Sequence, residues 1–248
     1  MIIARLCSLM AISLLLLRPA APAAGIVIRH DRADSLYLAL GARFPAVAKV
    51  GRAGDGVLIG DRWILTAGHI AASVDRAHAQ VQLGGAAYSI ARAIVHPRWQ
   101  ELGPHDLGLL ELDRAVTGVT PLPLYAGTDE KGQLATLVGH GDTRTGRGGA
   151  WKMDGQARGA VSRVVGTDED HLIFRFETPP NGETLSGAPG RGDSGGPALL
   201  ERDGKTFVAG ISSAGFDGAH GPGTYGAVDH FTRVSGYVDW IRKTMGER

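Results

Sequence analysis

Cysteine is almost missing from the chain, which holds one, Cys7, in 248 residues. A scaffold stapled by disulfides is therefore excluded, and the fold must be held by its apolar core. Charge of one sign is not in excess either, with 26 basic against 25 acidic side chains. That balance speaks against nucleic acid or an anionic membrane surface as partner. Beyond the N-terminus no apolar run is long enough to span a bilayer, so no membrane anchor is expected. Nine histidines are present, but none falls in a zinc spacing such as H-E-x-x-H, and no metal is expected. His30, His78, His96, His140, His171, His220 and His230 read as surface or structural residues. Sequence repeats and low-complexity linkers are also lacking.

The N-terminus has the layout of an export signal. Arg5 supplies the positive charge, Leu6 to Leu17 an apolar stretch, and Ala21-Pro22-Ala23 the small residues of a cleavage site. Residues 1–23 are thus expected to be a signal peptide and the protein to be secreted, extracellular or periplasmic. Cys7 leaves with that segment, as do Arg5 and Arg18, so 24 basic residues remain against 25 acidic ones. Export without disulfides is commoner in bacterial secretion than in animal plasma.

What the chain does have is short apolar stretches set between Gly, Pro and Asp turns. Val57-Leu58-Ile59 and Trp63-Ile64-Leu65 flank Gly60-Asp61 and read as a tight hairpin. Tyr88 to Val95, Leu107 to Leu112 and Leu134 to Val138 read as further strands. Asp203-Gly204, between Leu199-Leu200 and Phe207-Val208-Ala209, is the strongest hairpin signal in the chain. Helical spacing appears only in Val234, Tyr237, Val238 and Ile241, which predicts a single C-terminal helix lying on the body. The pattern is that of an all-β barrel or sandwich. Thr120 to Pro123 is the best candidate for a crossover between two halves.

Gly192-Asp193-Ser194-Gly195-Gly196-Pro197 is the stretch around which the chemistry is organised. Glycines contribute no side-chain burial and let the chain bend sharply, which exposes a hydroxyl and turns backbone N–H groups toward one point. Acyl transfer needs that combination of nucleophile and oxyanion donors. His69 ends Thr66-Ala67-Gly68-His69 at a strand end. Asp106 opens the apolar strand Asp106-Leu107-Gly108-Leu109-Leu110. A buried carboxylate is costly unless paired, and an imidazole N–H is a suitable partner.

Leu65-Thr66-Ala67-Gly68-His69, Ile94-Val95-His96-Pro97, Asp106 to Leu110, Gly139-His140-Gly141, Gly192 to Pro197, and Phe231 to Ser235 through Trp240-Ile241 together resemble the trypsin/chymotrypsin-like serine proteases. The resemblance runs from about Phe44 to Ile241. It implies an all-β fold of two antiparallel six-stranded β-barrels with a C-terminal α-helix. Residues 24–120 would hold the first barrel, 121–232 the second and 233–248 the helix. It further implies a cofactor-free endopeptidase, expected as a monomer, acting on protein or peptide substrates. Ser194 would be the nucleophile, His69 the general base and then acid, and Asp106 its orienting partner. The backbone N–H groups of Gly192 and Ser194 would form the oxyanion hole, and Ser213 would support Asp106. Ser213, Ala214 and Gly215 would pair with substrate backbone. Gly54, Ile70 and Gly190 stand where the family usually has cysteines, and Ala214 where it has a tryptophan.

The specificity pocket has two readings. Ala188 falls where trypsins carry the aspartate that binds Arg or Lys, and it holds no charge. Aligning Phe231 to Ile241 without a gap puts Asp229 on the pocket wall, where a carboxylate favours Arg or Lys. The other register anchors Pro222-Gly223 and leaves an apolar pocket. Activation in the family pairs a new Ile-Val amino terminus with the Asp before the nucleophile. Here the candidates are Ile26-Val27 and Asp193, although Ile28-Arg29-His30 follows in place of Gly-Gly. Two rivals stand beside this reading. Gly192-x-Ser194-x-Gly196 also fits the nucleophile elbow of α/β-hydrolases, but that fold needs an acid and then a histidine after the serine. An inactive homologue used for binding would ordinarily lack a triad member.

Overall fold

The computed structural model describes residues 25–75, 78–101, 103–219 and 221–246. The expected signal peptide, residues 1–23, lies outside them. A two-residue strand β1 (Val27–Ile28) and a helix α1 (Asp34–Gly41) come first. Strands β2 (Val47–Val50), β3 (Gly54–Gly60) and β4 (Trp63–Thr66) then lead into a short helix α2 (Gly68–Ser73). Strands β5 (Gln80–Leu83), β6 (Ala86–Val95) and β7 (Gly108–Leu112) close a six-stranded barrel of order β2-β3-β4-β7-β6-β5.

The rest of the chain builds the second barrel and a small flanking sheet. Its strands are β8 (Leu134–Gly139), β9 (Thr143–Thr145), β10 (Gly148–Lys152), β11 (Arg158–Thr167) and β12 (His171–Arg175). They are followed by β13 (Gly187–Ala188), β14 (Pro197–Arg202), β15 (Lys205–Phe216) and β16 (Val228–Arg233). The closed order is β11-β12-β16-β15-β14-β8, and the flanking sheet runs β10-β9-β1-β13. A 3₁₀ turn (Val234–Tyr237) enters the C-terminal helix α3 (Val238–Met245). The fold is therefore two closed antiparallel six-stranded barrels with a C-terminal helix, as the motifs implied.

Local chemistry explains these elements. In β5 the alternation of exposed Gln80 and Gln82 with buried Val81 and Leu83 is that of a strand with one face inward. Asp203 and Gly204 take φ 48° and 71°, between the paired residues Arg202 and Lys205. Two positive φ values match the right-handed strand twist and close a two-residue hairpin. In the first hairpin Gly60 pairs with Trp63, so the turn is Asp61-Arg62, one residue later than the sequence suggested. Leu122 donates its N–H to Leu58 in the first barrel, and Tyr125 donates to Val208 in the second, so the chain crosses over there.

The expectation of one helix is corrected by α1 and α2. Both are too short to show a repeating apolar stripe, and α1 buries only Tyr37 and Gly41. Besides the fully buried Tyr37, what docks α1 is an ionic contact. Fully buried Arg158 forks onto Asp34 at 2.6 and 2.8 Å and onto Asp154 at 2.9 and 2.8 Å. Double bidentate pairing satisfies a guanidinium that could not otherwise be buried. Ile26, Ile28 and Tyr37 consequently share the core of the second barrel, while Val234, Tyr237 and Ile241 share that of the first. Each end of the described chain thus packs on the barrel it does not itself form.

Candidate active site

His69 lies in the first turn of α2, directly beyond β4. Its backbone N–H donates to Asp106 Oδ1 at 2.8 Å, and its Nδ1 lies 2.7 Å from Asp106 Oδ2. Gly68 makes room for this double contact, because a Cβ there would stand 3.0 Å from Asp106 Oδ1. Asp106 reaches inward because His105 takes a left-handed φ of 62° just before β7. The kink is braced by a 2.7 Å hydrogen bond between His105 Nδ1 and the Tyr237 hydroxyl. Ser213 donates to Asp106 Oδ2 at 2.7 Å, and Thr232 donates to the Asp106 carbonyl at 2.9 Å. Burial alone would raise the Asp106 pKa. The hydrogen bonds from His69 and Ser213 outweigh it and hold the carboxyl below its ordinary value.

Ser194 is brought to this pair by its neighbours. The Ser194 carbonyl accepts the Asp55 N–H from β3 at 2.8 Å. A Cβ on Gly195 would fall 2.3 Å from the Asp55 carbonyl and 3.2 Å from the Ala67 nitrogen, two residues before His69. Glycine at 195, with φ 83°, is what lets the nucleophile loop lie against the β4–α2 junction. The Ser194 hydroxyl forms no hydrogen bond among the described residues, so the Ser194–His69 bond is not made in this structure. Such bonds often tighten only when substrate is bound.

Within the loop, Asp193 donates its N–H to Gly190, Gly195 to Ser212 and Gly196 to Asp193. The amides of Gly192 and Ser194 donate to no acceptor among the described residues. Gly192 has φ 87°, a conformation suited to glycine, and this turns the peptide. Asp193 is buried and accepts from Gly190 at 2.6 Å, Gly141 at 2.7 Å and Ile26 at 2.9 Å. The Ile26 donor is a peptide N–H, with Gly25 still attached. Ile26 sits at φ 58°, an uncommon conformation for a β-branched residue that costs about 1–3 kcal/mol. Thr143 caps its carbonyl.

A cavity of about 180 Å³ opens beside Ser194, lined among others by Ser213, Ala214, Gly215, Asp217 and Asp229. Asp229 is 6% exposed and accepts no hydrogen bond among the described residues. Its Oδ1 would stand 2.7 Å from a Cβ on Gly215, so the absence of that Cβ gives the carboxylate its place. Burial, with the nearby charge of Asp193, pushes the Asp229 pKa up to about 8. Pro222 and Gly223 line the same cavity. Ala188 does not: it is fully buried and pairs with Val27 across β1 and β13. Pro189 and Gly190, the next residues, line the wall instead.

Ala214 and Gly215 pair with β16 on one side after a register shift at Ser213, and on the other side the bonding of β15 stops at Ser212, which exchanges hydrogen bonds with Gly195 and Gly196. The second edge of Ala214 and Gly215 is open to an extended chain. The reading from motifs did not single out Trp151 and Arg191, which line the cavity mouth with Arg191 over the Trp151 ring at 5.0 Å. Nor did it find Asp55, although a charged residue inside the apolar strand Gly54–Gly60 is itself a signal. A larger cleft of about 850 Å³, lined by Arg29, Arg147 and Tyr225 among others, contains none of the triad residues.

Comparisons with known proteins agree with this fold. The family model described as Trypsin matches residues 39–241. Complement C1r-A subcomponent of Mus musculus is 31% identical over 234 residues, covering 78% of this chain and 31% of the relative. The chain thus spans about a third of the length of that relative. Chymotrypsin-like elastase family member 1 of Macaca fascicularis is 29% identical over 216 residues, covering 77% of each chain. Among solved structures, neuropsin, a serine protease of mouse brain, superposes with a TM-score of 0.68. At 24% identity, that match covers 83% of this chain and 96% of the other.

Proposed function

The chain belongs to the trypsin family of serine proteases, and we propose that it is a secreted serine endopeptidase with a preference for Arg or Lys before the cleaved bond. The observation that carries the catalytic part is the double contact of Asp106 with His69, at 2.8 and 2.7 Å. It holds His69 Nδ1 against Asp106 and leaves Nε2 without a partner among the described residues, so His69 can take the proton of Ser194 as its oxygen attacks the scissile carbonyl. Asp106 then stabilises the imidazolium, and His69 returns the proton to the leaving amine. Water repeats the sequence on the acyl-enzyme. These roles are those of the family's template mechanism, carried over to these residues. The amides of Gly192 and Ser194, otherwise without acceptors, are the donors for the oxyanion.

The observation that favours a cationic side chain in the pocket is Asp229. An unpartnered carboxylate at the wall of a cavity beside the nucleophile is costly until a cation enters. An apolar side chain would bury it further. Activation fits the same site. Cutting Gly25–Ile26 abolishes the φ torsion of Ile26 and turns a neutral donor into an ammonium beside Asp193. Amino-terminal sequencing of active enzyme reads this directly: a start at Ile26 is expected, and full activity with a start at Ala24 contradicts it.

Ser194→Ala is expected to abolish peptide cleavage and labelling by an organophosphonate, a loss of about 10⁶-fold in turnover, while the protein stays folded. Undiminished cleavage by that variant would remove Ser194 from the mechanism. A wild-type chain that neither cleaves nor labels would favour the inactive binding homologue.

A further inference from the structure

Gly139 separates two buried carboxylates. A Cβ built on it would meet Asp193 Oδ1 at 2.0 Å and Asp55 Oδ2 at 3.0 Å. The next residue, His140, grips Asp55 twice, through its N–H to Oδ2 at 2.7 Å and its Nδ1 to Oδ1 at 3.0 Å. Asp55 belongs to the first barrel and His140 follows β8 of the second, so the pair bridges the barrels. Asp55 and the residue after His140 also hold the nucleophile loop through their backbones. The Asp55 N–H donates to the Ser194 carbonyl, and Gly141, next to His140, donates to Asp193.

We propose that Asp55 and His140 are positioning residues for the nucleophile loop, with a protonated His140 neutralising Asp55 and so keeping the Gly192 and Ser194 amides aimed at the oxyanion. The inference rests on the endopeptidase reading above and adds a second Asp–His pair to it, one that never touches substrate. The Asp55 side chain is fully buried, and its hydrogen bonds come only from His140 among the described residues. Deprotonating His140 leaves Asp55 a buried charge with no counter-ion and Asp193 a like-charged neighbour. The cheapest relief is a shift of β3 against the loop, which moves the Ser194 carbonyl and with it the adjoining amides.

The charges that face His140 are Asp55, Asp193 and Lys49. Burial works against the imidazolium and Lys49 repels it. The charge and hydrogen bond of Asp55, with the charge of Asp193, outweigh both and raise the His140 pKa. His140 also lines a cleft of about 430 Å³ together with Phe44, Lys49 and Gln82. An ammonium at Ile26 would give Asp193 its own partner and leave Asp55 still dependent on His140. Because the His140 pKa is raised on folding, its contribution is complete at low pH and disappears as pH climbs through the raised value.

The test uses processed enzyme and a saturating peptide substrate, so that kcat reports on the loop and not on pocket filling. Asp55→Asn keeps the shape and removes the charge. It is expected to lower kcat by about tenfold or more with little change in KM, as misplacement of reacting groups does. The alkaline fall of kcat should also move to lower pH. A residue that only props up the fold would lower thermal stability and leave that limb in place. In parallel, NMR titration of wild-type and Asp55→Asn protein follows the His140 ring and the Gly192 and Ser194 amides. The amides are expected to shift with the ring, at a pH above that of ordinary histidine in the wild type and lower in the variant. This readout needs no turnover, so it tests the pair even if the chain proves not to cleave peptides. Amides that ignore the His140 titration, or an Asp55→Asn enzyme with unchanged kcat and an unmoved alkaline limb, would overturn the proposal.

Discussion

Asp106 and Asp229 are buried to the same degree, 5% and 6% exposed. Their acidities are driven apart all the same. Asp106 receives His69 twice and Ser213 once, and its pKa is depressed despite burial. Asp229 receives nothing from the described residues, and its pKa climbs to about 8. Burial therefore does not decide what a carboxylate does here; the donors around it do. A carboxylate whose lone pairs are filled by the protein is a fixed strut that can orient an imidazole. One whose lone pairs are left empty is, on the function proposed above, a place for a substrate's cation.

Breaking the satisfied side of that contrast should have the larger effect. In Asp106→Asn, one of the two oxygens becomes an NH₂ group. Three donors, the His69 N–H, the His69 Nδ1–H and the Ser213 hydroxyl, then compete for a single acceptor. Whichever way the amide turns, either the α2 backbone contact fails or His69 is driven into the wrong tautomer. The same substitution in the family's template enzyme lowers turnover by about 10⁴-fold, and a loss of that order in kcat is expected here. Steady-state kinetics with substrate held saturating would check it, and a loss confined to KM would show that Asp106 has some other task.

Breaking the unsatisfied side should cost less and change preference more than rate. Asp229→Ser removes the charge and keeps a small polar wall. kcat/KM for substrates with Arg or Lys at the cleaved position is expected to fall by about 10²- to 10³-fold, the scale for losing one partner of a desolvated ion pair. Apolar substrates should be unaffected or improve. A cleavage profile on a peptide library, run on both proteins, reads the two arms at once. An unchanged preference for Arg and Lys would move the recognition to another residue, of which Asp217 on the cavity wall is the first candidate.

The contrast also shows which parts of the molecule were readable before folding. The contacts among His69, Asp106 and Ser213 were legible because each residue sits in a short local context that survives in sequence, and so was the pair of barrels, through turns such as Asp203-Gly204. Asp229 was legible only through register, since the strand Val228–Arg233 could be threaded two ways and only the paired sheet puts Asp229 opposite Gly215. Ala188 was read as a pocket residue from its distance to Ser194, and its pairing with Val27, which no local pattern records, buries it behind the cavity lining. The Arg158–Asp34 and Asp55–His140 pairs were not legible at all. Their members lie 124 and 85 positions apart, and no local pattern records a bridge of that span.

The smallest effect is the most direct measure of what separates the two carboxylates. Benzamidine is a cation of the size of an arginine head, and its entry should force the proton off Asp229. With a raised pKa in the empty pocket, Asp229 is protonated below about pH 8. Binding there releases a proton, so affinity rises with pH, by at most about tenfold per unit, and levels off above that value. Asp217 and Arg191 face the same cavity and Asp193 acts on it through its charge, so the slope belongs to Asp229 only if Asp229→Ser flattens it. Calorimetry in two buffers of different ionisation heat counts the released proton directly. No release at pH 6.5 would mean that Asp229 is already charged in the empty pocket, and that some donor fills it after all.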